Sequence, residues 1–245
     1  MGTDFAAVAG LLGHPARSAM VDALMSGEAL TAGELARAAG VGPSTASEHL
    51  GRLVDGGLVT VVAQGRHRYH RIRDAEVAVA LEALARICPP TPVRSLRAAT
   101  RRDTLRHART CYDHLAGTIG VALADALADR SWLVPRGDDV GALVLTPDGE
   151  AGLTTAGVDV AAARASRRAF ARPCLDWTER RPHVAGALGA ALATTALDAG
   201  WVRRRTGRGL AVTAAGSDAL ADLFGVPAAV LEDGAVRRPP RAARA

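Results

Sequence analysis

The stretch that decides the fold of this chain is residues 31–72, TAGELARAAGVGPSTASEHLGRLVDGGLVTVVAQGRHRYHRI. Thr31 and Glu34 have the spacing of a capping box, which predicts that a helix begins there. Gly40 then favours a left-handed residue that ends the helix and turns the chain. Pro43 suits the first position of a second helix, so the stretch predicts two short helices joined by a tight turn.

A basic hairpin is predicted directly after the second helix. The run Leu58–Ala63 is rich in β-branched residues and predicts a strand, and Gln64 and Gly65 predict a turn. The return strand carries the basic side chains Arg66, His67, Arg68, His70, Arg71 and Arg73. Four arginines with no carboxylate among them favour an anionic partner.

The second helix is predicted to have an apolar and a polar face. Its spacing predicts a buried stripe of Ala46, Leu50, Leu53 and Val54 and an exposed face of Thr45, Glu48, His49 and Arg52. Short side chains at its N-terminal end would let that end approach base edges in a major groove. An ordinary solvated face is the alternative, and the basic hairpin favours the first interpretation. The combination predicts a winged helix-turn-helix that binds double-stranded DNA.

The composition predicts two folded domains. The 245 residues are 49% hydrophobic, all 30 basic residues are arginines, and the formal net charge is +5, which suits an anionic partner. No apolar run approaches the ~18–20 residues that span a bilayer, and the N-terminus lacks the pattern of a secretion signal. Three cysteines are too few for a disulfide framework. These observations predict a soluble, cytoplasmic protein with no membrane partner.

Charge is divided unevenly along the chain. Residues 1–90 hold 8 arginines and 9 carboxylates, a formal net charge of −1, whereas the rest holds 22 arginines and 16 carboxylates. Affinity for DNA would therefore come from the local placement of the hairpin. The arginine surplus of the second half supports an alternative function, an architectural DNA-binding protein with little sequence preference.

The segments ELARAAGVGPSTASEHLGRLVDGGLV and GRHRYHRI resemble the ArsR family of bacterial winged-helix repressors, over roughly residues 5–88. The resemblance implies a homodimer, an inverted-repeat operator near a promoter, and repression that an effector releases. It also implies a dimerisation helix over Asp74–Cys88. The DNA-binding residues that it implies are Ser44, Thr45, Ser47, His49 and Arg52 in the recognition helix and Arg66 and Arg68 in the wing.

Both usual metal sites of metal-sensing family members are absent from this sequence. The helix before the recognition helix carries Glu34–Arg37 with no thiol, and the last helix has no histidine between Asp74 and Cys88. Cys88 is interpreted as a small apolar residue on the dimer stripe. A sensing site is therefore expected in the second half of the chain.

That half contains an internal duplication. The segment His114–Leu123 is echoed by His183–Leu192, and a tryptophan follows each histidine by 18 residues, at Trp132 and Trp201. A Thr-x-x-Gly motif follows each tryptophan, at residues 146–149 and 213–216. Each copy resembles the recognition helix and wing of the first domain, which predicts two degenerate winged-helix-like units.

The predicted fold class is mainly α with small β-hairpin wings (α+β), an N-terminal winged helix-turn-helix followed by a C-terminal domain of two winged-helix-like repeats. The predicted domains are residues 1–90 for DNA binding and dimerisation, 91–100 for a Pro-containing linker, 101–225 for a sensor or oligomerisation domain, and 226–245 for a disordered basic tail.

The duplicated segments each contain one cysteine at a matching position. Each copy contains Arg-x-Cys-x-Asp, at residues 109–113 and 172–176, and then a histidine. Cys111, His114, Cys174 and His183 could converge on a tetrahedral zinc-like ion, with Cys111 and His114 on one helical face. Alternatively the two cysteines form a reversible disulfide, with Arg109 and Arg172 lowering their pKa.

Two further interpretations of this half remain open. The cysteines could simply fill small apolar gaps while each histidine caps its helix. An organic effector could bind against the glycine-bearing helix faces, with Trp132 and Trp201 as walls.

The leading function is an effector-responsive repressor. An enzyme is not predicted, because no GxSxG motif occurs and Cys111 has no glycine-rich oxyanion motif beside it.

Overall fold

The chain folds into two compact units, Met1–Cys88 and Pro89–Ala245. The structure is a computed structural model, and it describes residues 3–65, 67–88, 96–137, 139–205 and 207–231. In these parts of the chain no helix combines the length and the apolar character needed to cross a membrane.

Within its described residues, the first unit has five helices around a three-stranded antiparallel sheet. The helices are α1 (Phe5–Leu12), α2 (Pro15–Leu24), α3 (Ala32–Ala39), α4 (Pro43–Asp55) and α5 (Ala75–Ile87). The strands are β1 (Leu30–Thr31), β2 (Val59–Gln64) and β3 (His67–Ile72), in the order β1-β3-β2. The sequence did not predict β1, because two residues carry no periodicity, and its pairing with β3 is decided by tertiary contact.

Local signals explain where α3 and α4 begin and end. Thr31 and Glu34 form the predicted capping box, and Gly40 ends α3 in the left-handed region at φ 66°. The Val41 N–H donates to the Ala36 carbonyl at 3.0 Å, which closes the turn. Pro43 then starts α4. The predicted helix-turn-helix is therefore confirmed.

The core of the first unit lies where α2, α3 and α4 meet. The side chains that fill it are each at most 2% exposed: Met20, Leu24, Leu35, Leu50 and Leu53. Burial of each such side chain contributes roughly 1.5–3 kcal/mol relative to an exposed position. This packing holds α4 with its opposite side towards solvent.

The second unit contains seven helices and four antiparallel hairpins within the described residues. The helices are α6 (Leu96–His107), α7 (Gly117–Asp129), α8 (Pro147–Thr155), α9 (Val160–Ala165), α10 (Gly186–Asp198), α11 (Ala214–Phe224) and α12 (Ala228–Leu231). The strands pair as β4 (Arg109–Cys111) with β5 (His114–Ala116), β6 (Leu133–Arg136) with β7 (Asp139–Leu145), β8 (Arg172–Leu175) with β9 (Pro182–Ala185), and β10 (Val202–Arg204) with β11 (Leu210–Val212).

The order of elements in this unit occurs twice. The first run is β4-β5-α7-β6-β7-α8 and the second is β8-β9-α10-β10-β11-α11, with α9 between them. Each central helix packs on the hairpin of the other run, α7 on β9 and α10 on β5. This reciprocal packing brings the hairpins β4-β5 and β8-β9 together, and β5 contacts β9.

Matched glycines make the two runs possible. Gly117 and Gly186 begin α7 and α10 at φ 78° and 87°, a region that glycine adopts without strain. A Cβ at Gly117 would lie 2.5 Å from the Arg106 carbonyl oxygen, and one at Gly186 would lie 2.6 Å from that of Ala169. The glycines of the duplicated sequence therefore serve close backbone approach.

The Thr-x-x-Gly motifs cap helices. Thr146 accepts a hydrogen bond from the Gly149 N–H at the start of α8, and Thr213 accepts one from the Gly216 N–H at the start of α11. Each glycine lies against the carbonyl of the tryptophan that precedes its hairpin.

Two predicted boundaries differ from the structure. The linker was predicted over residues 91–100, but α6 begins at Leu96, and residues 91–95 lie outside the described residues. The tail was predicted from residue 226, but Val226 and Leu231 are buried, and α12 packs on α7. Two apolar residues in this short segment give it a buried side. The rest of the predicted tail lies outside the described residues.

Candidate functional site

The first candidate surface is the exposed side of α4. Ser44, Thr45 and Ser47 are exposed in its first turns, and of these the helical spacing predicted the exposure of Thr45. The N-cap residue is Gly42, which provides no side-chain hydrogen bond, so the backbone N–H groups of Ser44 and Thr45 have no side-chain cap from it and can meet an anionic partner. This end of α4 combines short side chains with the positive end of the helix dipole.

Arg52 lies further along the same helix and is held by a neighbour. Its Nη2 atom is 2.7 Å from Glu48 Oε1, in an ion pair between residues four apart whose side chains are about 60% exposed. Such exposed pairs contribute only about 0.3–0.5 kcal/mol. Arg52 can therefore leave Glu48 for a phosphate or a base at little cost.

His49 does not lie on the exposed face where the sequence placed it. It is only 7% exposed, and its ring packs on that of His14, with 4.3 Å between the centroids. The prediction of exposure was wrong because His14, at the N-terminal end of α2, covers this side of α4. Burial lowers the pKa of His49, and the neighbouring His14 and Arg17 lower it further.

The hairpin of β2 and β3 forms the wing. Arg68 is exposed on β3, where it pairs in register with Ala63 of β2. Further along β3, two and four residues after Arg68, His70 and Ile72 are buried. Arg66 lies outside the described residues. The predicted wing thus carries at least one exposed arginine on a strand whose base is fixed in the core.

The second candidate site is a cluster of two cysteines and two histidines in the second unit. Cys111 on β4 lies directly opposite His114 on β5, and Cys174 on β8 lies directly opposite His183 on β9. The structure therefore brings together all four predicted residues. It corrects one detail, because Cys111 and His114 face each other across a hairpin and not along a helix.

The four donor atoms of this cluster lie within 4.8 Å of one another. The two Sγ atoms are 3.9 Å apart, and His114 Nε2 is 3.1 Å from His183 Nε2. Cys111, His114 and His183 are buried, and Cys174 is partly buried.

A carboxylate lies behind each histidine. His114 Nδ1 is 3.3 Å from Asp113 Oδ1, and His183 Nδ1 is 3.2 Å from Asp176 Oδ2. Arg168 forms an ion pair with Asp113. Arg109 Nη2 is 2.8 Å from Asp176 Oδ1, and both of those side chains are fully buried.

Charges in this network shift several pKa values. Burial raises the pKa of Asp176, but the hydrogen bond with His183 and the charge of Arg109 outweigh it and hold the pKa far below its usual value. Burial lowers the pKa of His183, but its hydrogen bonds with Asp176 and Cys174 raise it overall. The hydrogen bond with Cys111 lowers the pKa of Cys174 well below that of an ordinary thiol, against the opposing effect of burial.

Arg109 makes a contact that the sequence did not predict. Arg109 was expected to lower the pKa of a thiol, but it forms an ion pair with Asp176, and the low pKa of Cys174 comes from Cys111, His114 and His183. The orienting roles of Asp113 and Asp176 were missed. The signal was present, because the two aspartates occupy the same position of the duplicated Arg-x-Cys-x-Asp pattern.

Trp132 and Trp201 contact the same core side chain. Both indoles meet the ring of Phe224 edge-on, at centroid distances of 6.4 and 6.0 Å. Gly152 of α8 lies against the Trp132 indole. These contacts favour a packing role for the tryptophans over walls of a ligand cavity.

The capped helix pair and the hairpin wing define the first unit as a winged helix-turn-helix that binds DNA. A family described as a helix-turn-helix domain matches residues 12–62. A Bacillus subtilis (strain 168) protein, "Uncharacterized HTH-type transcriptional regulator YdfF", is 41% identical over 204 residues, which cover 83% of this chain and 89% of that protein. The chain belongs to the helix-turn-helix transcriptional regulators, and within them its sequence resembles the ArsR family.

Two solved structures resemble part of the chain. The transcriptional repressor BigR from Xylella fastidiosa is 29% identical, with 35% of this chain and 87% of that chain covered and a TM-score of 0.31. A homodimeric winged helix-turn-helix DNA-binding domain, Mb0332 from Mycobacterium bovis, is 33% identical, with 34% and 74% covered and a TM-score of 0.30.

Proposed function

We propose that this regulator is an effector-responsive repressor that binds an inverted-repeat operator as a homodimer. The observation that carries the proposal is the exposed N-terminal end of α4, where Ser44, Thr45 and Ser47 surround open backbone N–H groups. A helix end of this kind fits a major groove and the phosphates beside it. The first unit has a formal net charge of −1, so local geometry and not the overall field must supply the affinity.

The proposed DNA contacts follow the residues of α4 and the wing. Ser44, Thr45 and Ser47 would contact base edges or phosphates, and Arg52 would leave Glu48 to do so. Arg68, together with Arg66, would contact the backbone beside the groove. His49 would support α4 from below, because it is buried against His14.

Exposed apolar side chains support the homodimer. Every residue of α1 is at least partly exposed, and Phe5 is 79% exposed. On α5, which corresponds to the predicted dimerisation helix, Ile87 is 79% exposed and Leu84 is 40% exposed. Apolar surface of this kind on an otherwise polar exterior favours coverage by another chain. We assign that role to a second copy, in agreement with the resemblance to the ArsR family.

The second unit is proposed to be the sensor and oligomerisation part, made of two degenerate winged-helix-like units. The succession α7-β6-β7-α8 has the same order as α4-β2-β3-α5, and α10-β10-β11-α11 repeats it. An effector that binds one conformation of this unit better than the other would shift the population of the DNA-binding form.

The test is a fluorescence anisotropy titration of the full chain with its own promoter DNA and with random duplex of equal length. A repressor of this kind should prefer the promoter duplex by about 1000-fold or more, and an inverted repeat within it should be protected from nuclease. Equal affinity for both duplexes would refute the proposal. If that affinity also fell steeply with salt, the 22 arginines of the second half would support an architectural DNA-binding protein.

A further inference from the structure

We propose that Cys111, His114, Cys174 and His183 bind one tetrahedral divalent metal ion of the zinc class, which joins the two runs of the second unit. This inference goes beyond the proposed function, since metal binding can be measured without DNA. The site is separate from the usual metal sites of metal-sensing family members, which this sequence lacks, because all four residues lie in the second unit.

The distances between donor atoms fit a tetrahedral ion. With zinc–sulfur bonds of about 2.3 Å and zinc–nitrogen bonds of about 2.0–2.1 Å, two sulfurs lie about 3.8 Å apart and two nitrogens about 3.3–3.4 Å apart. The Sγ atoms of Cys111 and Cys174 are 3.9 Å apart, and the Nε2 atoms of His114 and His183 are 3.1 Å apart. These two separations differ from the ideal edges by only a few tenths of an ångström, and all four donor atoms lie within 4.8 Å of one another.

The orientation of the histidines also suits a metal ion between them. Each ring has its Nδ1 within 3.3 Å of a carboxylate oxygen, of Asp113 or Asp176, which favours the proton on Nδ1 when the ring is neutral. Both Nε2 atoms then present lone pairs to each other across 3.1 Å, which is repulsive unless a proton or a metal ion lies between them. Histidine that binds zinc through one nitrogen usually donates from the other to a carboxylate or carbonyl. His114 has such a contact with Asp113, and His183 Nδ1 lies 3.2 Å from Asp176 Oδ2.

The supporting contacts hold the ligands in place before any ion arrives. The buried ion pair with Arg109 fixes Asp176 behind His183, and Arg168 fixes Asp113 behind His114. A Cβ at Gly189 would lie 3.2 Å from that of His114, and a Cβ at Gly120 would lie 3.6 Å from that of His183. The helices α7 and α10 can therefore pack closely against the histidine of the opposite run.

The donor set selects the class of ion. Two thiolates and two imidazoles suit zinc and similar borderline ions, whereas magnesium and calcium prefer oxygen ligands. A disulfide is the competing chemistry of the two cysteines, but it requires an S–S distance of about 2.05 Å, so the sulfurs would have to approach by almost 2 Å from their present contact. That movement would also leave the two imidazoles facing each other.

The experiment is a titration of the reduced full chain with Co²⁺ and then Zn²⁺. Cobalt in a tetrahedral site with two thiolates gives visible absorption bands that zinc lacks. We expect these bands to saturate at one ion per chain, to disappear as zinc replaces cobalt, and to be accompanied by sulfur and nitrogen ligands in X-ray absorption of the zinc form. Absence of the bands, or a stoichiometry near zero by elemental analysis of the zinc-loaded chain, would overturn the proposal.

Variants assign the ion to these residues. Cys111→Ser and Cys174→Ser should abolish the cobalt bands, while Cys88→Ser, at an exposed cysteine outside the cluster, should leave them intact. Asp113→Asn keeps all four ligands but weakens the support of His114, so it should retain the bands and lower zinc affinity by about 10- to 100-fold. Loss of the bands in Cys88→Ser alone would refute the assignment. Circular dichroism reports whether each variant is folded. If a ligand variant does not fold, the cobalt titration of the wild-type chain still tests the metal site.

Failure of this proposal is distinguishable from failure of the proposed function. If the chain prefers its promoter DNA but binds no metal, the metal site is refuted and the proposed repressor function stands. If the chain binds one zinc ion but shows no preference between duplexes, the metal site stands and the proposed repressor function is refuted.

Discussion

At the scale of single residues, the most consequential contact is the ion pair of Arg109 and Asp176, because both side chains are completely buried. A buried charge is costly unless it is paired. Asp176 also contacts His183 and accepts a hydrogen bond from the Gly117 N–H at 2.7 Å, so one carboxylate connects the start of α7 to the cluster of cysteines and histidines.

Removing Arg109 should destabilise the second unit strongly. Arg109→Leu leaves the Asp176 carboxylate buried without its main counter-charge. We expect this to lower the free energy of unfolding by about 3–5 kcal/mol, as is typical when one partner of a buried ion pair is removed. Urea unfolding followed by tryptophan fluorescence measures this unit, because all three tryptophans lie in it. The control is Arg164→Leu, which breaks a pair with Glu150 whose side chains are nearly half exposed and should cost no more than about 1 kcal/mol. Similar losses in both variants would contradict the role of burial.

His49 makes the stability of the first unit depend on pH. Its pKa is lowered in the folded chain, first by burial and then by His14 and Arg17, so the unfolded chain binds the proton more tightly. The neutral form therefore stabilises the fold fully above the unfolded pKa of about 6.5, and this stability is lost as pH falls below that value.

Replacing His49 should weaken this pH dependence. We expect His49→Gln to lose less stability than the wild type between pH 7.5 and 5.5, with a difference of at most about 1.4 kcal/mol per pH unit. Thermal melting followed by circular dichroism provides the measurement. His67→Gln, at an exposed position of the wing, should behave like the wild type. An unchanged slope in His49→Gln would show that the buried ring is not the group that titrates.

At the scale of elements, the wing and α4 have different tasks in the proposed complex. Arg68 lies at an exposed position of β3, and a phosphate contact from it would be independent of sequence. The side chains of α4 would instead distinguish operators.

Removing the wing arginine should weaken binding to every duplex alike. Arg68→Ala should lower affinity for promoter and random DNA by the same factor and reduce the slope of log K against log salt by about one unit, because one phosphate contact is lost. Anisotropy titrations at several salt concentrations measure both quantities. Arg164→Ala, in the second unit, is the charge-matched control. A changed preference among operator variants, with the slope intact, would contradict the assignment of Arg68 to phosphate.

Helices α3 and α4 show which features of the fold local sequence signals can predict. The capping box, Gly40 and Pro43 act within a few residues, and the helices they predict occur as predicted. The same reasoning failed for His49, whose spacing on α4 is correct but whose exposure depends on the approach of His14, 35 positions earlier in the chain. Helical periodicity describes one element and contains no information on what packs against it.

At the scale of the whole molecule, the proposed dimer explains the exposed apolar residues of α1 and α5. Phe5 and Ile87 are each 79% exposed in the single chain, which is unfavourable for such large side chains unless another surface covers them. Two recognition helices can read an inverted repeat only when a second copy fixes the distance between them.

Charged substitutions on these helices should separate the dimer. Phe5→Glu with Ile87→Glu should shift the sedimentation coefficient from that of a dimer to that of a monomer and lower affinity for the inverted repeat, with the cobalt bands of the second unit unaffected. Val144→Glu, at a position 37% exposed on β7, is the control and should remain dimeric. A double variant that still sediments as a dimer would place the interface elsewhere.

The sequence by itself determined the helix-turn-helix, the wing hairpin and the presence of two related halves in the second unit. Caps, turn residues and repeated spacing are local signals, and each can be identified without a partner. It also identified Cys111, His114, Cys174 and His183 as residues that could meet, but it left metal binding, a disulfide and packing open.

Only the tertiary structure decided how those four residues meet. His114 and His183 are 69 positions apart, and their approach depends on α7 packing on β9 and α10 packing on β5. The buried Arg109–Asp176 pair and the 3.1 Å between two imidazole nitrogens are likewise products of that packing. Contacts across such separations depend on how whole elements fit together, because no short segment of the chain contains both partners.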